Sequence, residues 1–142
     1  MKVLVTGTAG FIGSHVAMRL LARGDVDYVP LKLSATVAPH NHWAFDDAVA
    51  HIEDKLVPLF RRAAAASPRK FINLDMEEYR DLHLTLDVFR RLMMEPDLLR
   101  LRAGVAIQTY LREAGLVLDE LDAFAAARVA AGGVPIKVRL VK

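Results

Sequence analysis

Phe71-Ile72-Asn73-Leu74-Asp75 follows the Ser67-Pro68 break and reads as a short buried strand that ends on a carboxylate. Three more stretches share that design. Residues 28–33 carry Lys32, residues 104–109 carry Gln108 and residues 135–141 carry Arg139, each polar residue placed at the C-terminal end of its predicted strand. Between the strands the period changes to the helical one. Residues 45–66 bring Val49, Ile52, Leu56, Leu59 and Phe60 to one face, with a kink expected at Pro58. Residues 82–94 do the same with Leu82, Leu86, Phe89 and Met93 before Pro96, so Met93-Met94 reads as core beside surface. Residues 113–131 turn Val117, Leu121, Phe124 and Ala125 inward and stop at Gly132-Gly133. Upstream, residues 2–6 read as a strand, and 11–23 as a helix presenting Ile12, Val16 and Leu20 to a sheet. The order βαβαβαβαβ implies five parallel strands joined by right-handed crossovers, an α/β fold. Two sheet orders satisfy it. Sequential order makes a partial TIM-type βα barrel, the expected arrangement; order 2-1-3-4-5 makes a doubly wound Rossmann or flavodoxin-like sheet.

In either architecture ligands bind at the carboxyl ends of the strands, which is where Lys32, Asp75, Gln108 and Arg139 fall. A Lys and an Asp on neighbouring strand ends can pair and present an ammonium to an anion. The Gln108 amide offers a donor and an acceptor to the edge of a heterocycle such as a flavin. Arg139 and Lys142 add cations suited to a phosphate or a reduced, anionic flavin.

Composition narrows the possibilities. With 142 residues, 54% hydrophobic and 25% charged, one globular domain or part of one is expected. A formal charge of +2 without a basic block gives no reason to expect nucleic acid. The chain has no cysteine, which excludes disulfides and thiolate metal sites and fits a cytoplasmic protein. Glycines interrupt the apolar start, which argues against a secretion signal, and no window approaches the ~20 apolar residues of a membrane span.

The opening Met1-Lys2-Val3-Leu4-Val5-Thr6-Gly7-Thr8-Ala9-Gly10-Phe11-Ile12-Gly13 carries a second signal. Gly7, Gly10 and Gly13 stand between a strand and a helix, where glycines allow the backbone to approach a pyrophosphate and the helix N-terminus supplies donors. Residues 1–24 resemble the start of the extended short-chain dehydrogenase/reductases, the NAD-dependent epimerases and dehydratases. That resemblance implies NAD at Gly7, Gly10 and Gly13. The rest of that family's pattern is absent: Leu31 occupies the position of its ribose-binding Asp, and the only Tyr-x-x-x-Lys spacing, Tyr28 with Lys32, lies within a strand.

From Tyr28 onward the chain is similar to a different family. Pro30-Leu31-Lys32-Leu33-Ser34-Ala35, Asn73 through Tyr79, Leu84-Thr85-Leu86 through Glu95-Pro96, Ile107-Gln108-Thr109-Tyr110 and Lys137 through Lys142 resemble, in order, the proline dehydrogenase domain of bifunctional bacterial proline-utilisation enzymes. The resemblance implies a distorted FAD-binding βα barrel of which these segments are the second to fifth strands. It also implies Lys32 and Asp75 as active-site residues, Gln108, Arg139 and Lys142 as FAD contacts, and proline as substrate, oxidised to pyrroline-5-carboxylate. The pair of arginines that holds the proline carboxylate in that family has no counterpart here. Together the two resemblances imply a single α/β unit made as a chimera or truncated fusion. Residues 1–27 would be a Rossmann-like segment, residues 28–142 a partial proline dehydrogenase barrel, and the join would fall near Val26-Asp27-Tyr28.

The leading expectation is therefore an FAD-related proline dehydrogenase fragment without full activity; the alternatives are an NAD-binding module and a ligand-free scaffold. An open sheet edge also predicts a homo-oligomer. Three lesser constellations read more simply as ordinary loop residues. His40 and His42 with Asp75 or Glu77 have the residue types of a metal site, but no metal is expected. Glu77-Glu78 reads as a solvated pair, and Ser34, His40 and Asp75 lack the Gly-x-Ser-x-Gly elbow of a hydrolase.

Overall fold

A computed structural model describes residues 11–32, 44–76 and 78–142, with backbone alone at 11–14. Helix α1 (Phe11–Ala22) leads into strand β1 (Tyr28–Lys32), followed by α2 (Phe45–Ala65), β2 (Phe71–Asp75) and a single 3-10 turn at Tyr79–Asp81. Then come α3 (Leu82–Met94), β3 (Ala103–Gln108), α4 (Ala114–Ala130) and β4 (Lys137–Val141). The predicted strand 2–6, with Gly7 and Gly10, lies outside the described residues.

The four strands are parallel and stand in sequential order, β1-β2-β3-β4. That order settles the choice between the two sheets. A doubly wound arrangement would place strand 2–6 between residues 28–32 and 71–75, yet these two strands pair directly, from Tyr28 opposite Phe71 to Lys32 opposite Asp75. The sheet is therefore a partial βα barrel.

Alternation along each strand sends successive side chains to opposite faces. On one face Val29, Leu31, Ile72, Leu74, Val105 and Ile107 are buried and form a single cluster with the helices, while Leu140 of β4, on the same face, is exposed. The contributions expected of α2 and α3 are met: Val49, Ile52, Leu56, Leu59 and Phe60 are buried, as are Leu82, Leu86, Phe89 and Met93, with Met94 outside. Burying a side chain such as Phe60 or Phe89 stabilises the fold by about 1.5–3 kcal/mol. Helix α2 continues through Pro58, which lies on its exposed side.

Two helices depart from the expected faces. In α1 the stripe is Ala17, Leu20 and Leu21, and Val16 is exposed. Its sequence is apolar on several sides, so periodicity alone could not fix its rotation. In α4, Val117 and Leu121 are buried, while Phe124 is half-buried and meets Phe89 edge to face at 6.3 Å. One turn further on, Arg128 is wholly buried. It donates from Nε to Val134 O at 2.8 Å, and through its two terminal nitrogens to the carbonyls of Met93, Leu98, Leu99 and Leu101. The α4 stop forms as expected: Gly132, at φ +84°, takes the left-handed conformation, and Gly133 N donates back to Arg128 O at 2.9 Å.

Candidate functional site

The other sheet face carries the polar residues. Lys32, Asp75, Ala106 and Arg139 form one row across the four strands, each opposite the next in register. Lys32, Asp75 and Gln108 sit at the ends of β1, β2 and β3 as expected. Arg139 does not end its strand. It is the third of five residues in β4, and the stagger of the sheet brings it level with the end of β2.

Asp75 and Arg139 are two strands apart, on the order of 9–10 Å at parallel spacing. The small Ala106 between them leaves a path over which the guanidinium reaches the carboxylate, and Arg139 donates to Asp75 Oδ1 at 2.7 Å. The Asp75 side chain is 13% exposed and that of Arg139 46%, so the cation faces outward and the carboxylate inward. A second donor reaches the same oxygen: Asn73 Nδ2, 2.6 Å away on the same strand and face. Lys32, the residue expected to pair with Asp75, is its register neighbour, and Arg139 supplies a cation on Oδ1. At the start of β1, the Tyr28 hydroxyl pKa is raised mainly by burial, with Arg139 opposing and Asp75 reinforcing the shift.

Gln108 is half-exposed at the top of β3, and Lys142 is exposed just beyond β4. Thr109, one residue past Gln108, binds Val141 O through its backbone NH at 2.8 Å and its hydroxyl at 3.0 Å, fixing the end of β3 against β4. Two connections on this side of the sheet are joined by Tyr79, whose hydroxyl donates to Glu113 Oε1 at 2.6 Å. That bond holds the Glu113 carboxyl below its ordinary pKa and raises that of Tyr79.

Of the other candidates, Ser34, His40, His42, Glu77, Gly7 and Gly10 lie outside the described residues, and Gly13 falls within α1. Glu78 is in an exposed ion pair with Arg80 at 2.7 Å. Among the described residues no cluster of His, Cys, Asp and Glu could hold a metal ion. None of their helices is long and apolar enough to cross a membrane. A basic depression of 450 Å³ lined by Tyr28, Arg69, Lys70, Phe71, Arg102 and Lys137 lies at the opposite, N-terminal ends of the strands. The polar row is the better candidate, because in parallel βα folds the loops that complete a site converge at the carboxyl ends.

Sequence reasoning missed Asn73. The signal was present in its polarity amid an apolar strand and its two-residue offset from Asp75, which puts both on one face.

The sequence model of the family described as proline dehydrogenase matches residues 11–142. The chain belongs to the proline dehydrogenase family. Among solved structures, proline utilization A from Corynebacterium freiburgense is 45% identical, with a TM-score of 0.90 over 99% of this chain and 14% of that one. Proline utilization A from Bdellovibrio bacteriovorus, inactivated by N-propargylglycine, is 28% identical, with a TM-score of 0.83 over 100% of this chain and 17% of that one. A Bradyrhizobium japonicum proline utilization A mutant is 31% identical, with a TM-score of 0.71 over 85% of this chain and 12% of that one. The chain spans well under a quarter of the length of these relatives. No curated protein matches it. The family match takes in α1 and the join expected near Val26-Asp27-Tyr28, and nothing in these likenesses supports an epimerase segment or a chimera.

Proposed function

We propose that this chain supplies one side of a proline dehydrogenase-type site that binds FAD. The observation that carries the reading is the Arg139–Asp75 pair across Ala106, at the carboxyl ends of a partial barrel in a member of this family. The residues present fit a flavin. Gly104 and Ala106 share the polar face of β3 and leave it low, while Gln108, Arg139 and Lys142 offer amide, guanidinium and ammonium donors along its edge. Gln108, Arg139 and Lys142 would hold the flavin, Lys32 would meet the proline carboxylate and Asp75 would orient the cations. When bound, FAD supplies the hydride acceptor that takes proline to pyrroline-5-carboxylate.

Turnover by these 142 residues alone is not expected. Hydride transfer requires both carboxylate and flavin to be fixed within attack distance, and among the described residues Lys32 is the candidate for the carboxylate. A cytoplasmic location fits its lack of cysteine.

Calorimetric titration with FAD and, separately, NAD tests the reading. FAD should bind. Arg139→Ala or Gln108→Ala should weaken it about tenfold to a hundredfold, the equivalent of the 1–3 kcal/mol lost with one well-placed hydrogen bond to a ligand. NAD should bind poorly, because Leu31 offers no ribose acceptor. NAD binding that is abolished by Gly10→Asp, with none of FAD, would replace this reading by the dinucleotide one. Proline-dependent dye reduction lost in Lys32→Ala would show that the residues present suffice for turnover.

A further inference from the structure

Asn73 is the buried polar residue at the centre of the polar face, 1% exposed. Its amide donates to Asp75 Oδ1 at 2.6 Å and more distantly to Leu74 O at 3.3 Å. The orientation is fixed by chemistry: an ionised carboxylate only accepts, so the NH₂ end of the amide must face Asp75. Oδ1 of Asp75 therefore has two donors, Asn73 from its own strand and Arg139 from β4.

Gly104, opposite Asn73 in the β2–β3 register, makes room for this arrangement. A Cβ there would stand 2.8 Å from Asn73 Oδ1, 3.1 Å from Phe71 Cζ and 2.6 Å from Lys137 O. With glycine in that place, the amide lies flat against β3 with its donor end directed along β2 to the carboxylate. A buried side chain in such a slot has one rotamer available, and it passes that order to Asp75.

We propose that Asn73 is a positioning residue for the flavin-facing cation: it fixes the Asp75 carboxylate, which in turn holds the Arg139 guanidinium over Ala106. This rests on the flavin reading above. Asn73 itself does not meet the ligand; it acts through Asp75.

FAD affinity of the full chain is measured for the wild type, Asn73→Leu, Asp75→Ala and the double variant. Asn73→Leu keeps the branched shape and removes the donor, and should weaken FAD about tenfold, the scale of one lost hydrogen bond. In the Asp75→Ala background the same change should alter affinity by less than about twofold, since the carboxylate it acts on is gone. Unchanged affinity in Asn73→Leu, or an equal loss in both backgrounds, would make Asn73 a packing residue and overturn the proposal. Should Asn73→Leu not fold, Asn73→Ala takes its place, neutral and without the donor, with the same expected outcomes. If the wild type fails to bind FAD, the flavin reading falls by itself. Positioning is then read from urea unfolding of Asn73→Leu, Arg139→Ala and their double variant: coupling of about threefold or more in the unfolding constant supports a link through Asp75, and additivity overturns it.

Discussion

Arg128 shows how much one side chain can carry. Its guanidinium is buried among backbone carbonyls, and burial pulls its pKa below the ordinary arginine value. The five carbonyls come from the end of α3, the segment leading into β3 and the approach to β4, so the side chain ties two connections and the end of α3 to one helix. Arg128→Leu should cost about 3 kcal/mol or more, because charge-assisted bonds are lost and buried acceptors are left without their donor. A fall in the urea midpoint with unchanged slope would register it; an unaltered midpoint would mean that water replaces the guanidinium at no cost. At the surface, Arg23 pairs with Asp25 at 2.7 Å and holds that carboxyl down to about 2. Arg23→Ala should return the Asp25 titration, followed by carboxyl carbon shifts, to near 3.9, about the ordinary value. Both groups are exposed, so global stability should scarcely change.

Between elements, the connections matter as much as the strands. The Tyr79–Glu113 bond links the segment after β2 to the start of α4. Since folding depresses the Glu113 pKa, its contribution is present above the ordinary glutamate value and is lost as pH falls through the depressed one. Tyr79→Phe should raise the Glu113 midpoint toward about 4.3, and an unmoved midpoint would show that the hydroxyl is not its cause. Gly104→Ala tests the closeness of β3 and β4. A Cβ 2.6 Å from Lys137 O forces the strands to shift, with an expected loss of about 1–3 kcal/mol in urea unfolding. Much of this level was legible in the sequence. Helix 82–94 has the bounds its period and Pro96 imply, and Lys32, Asp75 and Gln108 end their strands because parity and the turn signals fix where those strands stop. Other features depend on how elements are placed relative to one another. The stagger that brings Arg139 level with Asp75 spans 64 residues of sequence, and Arg128 reads as a solvated cation in an alanine-rich helix until the carbonyls around it are placed.

For the molecule as a whole, the exposed side of the sheet sets the behaviour in solution. Among the described residues β4 pairs with β3 alone. Leu140 is 56% exposed on it, an apolar side chain flanked by the cationic Arg139 and Lys142. An edge of this kind promotes self-association through unpaired backbone groups, and its positive charges oppose that association. We therefore propose concentration-dependent assembly at tens of micromolar, strengthened rather than weakened by salt. At about 0.1 M the screening length falls to about 10 Å, which relieves repulsion between two positively charged edges while leaving apolar contact intact. Leu140→Lys should remove the apolar contact and add to the repulsion, shifting the equilibrium toward monomer. Sedimentation equilibrium at two salt concentrations decides it: a compact monomer in both would show that the edge is covered, and association that weakens with salt would show that ion pairs, not this strand, hold the copies together.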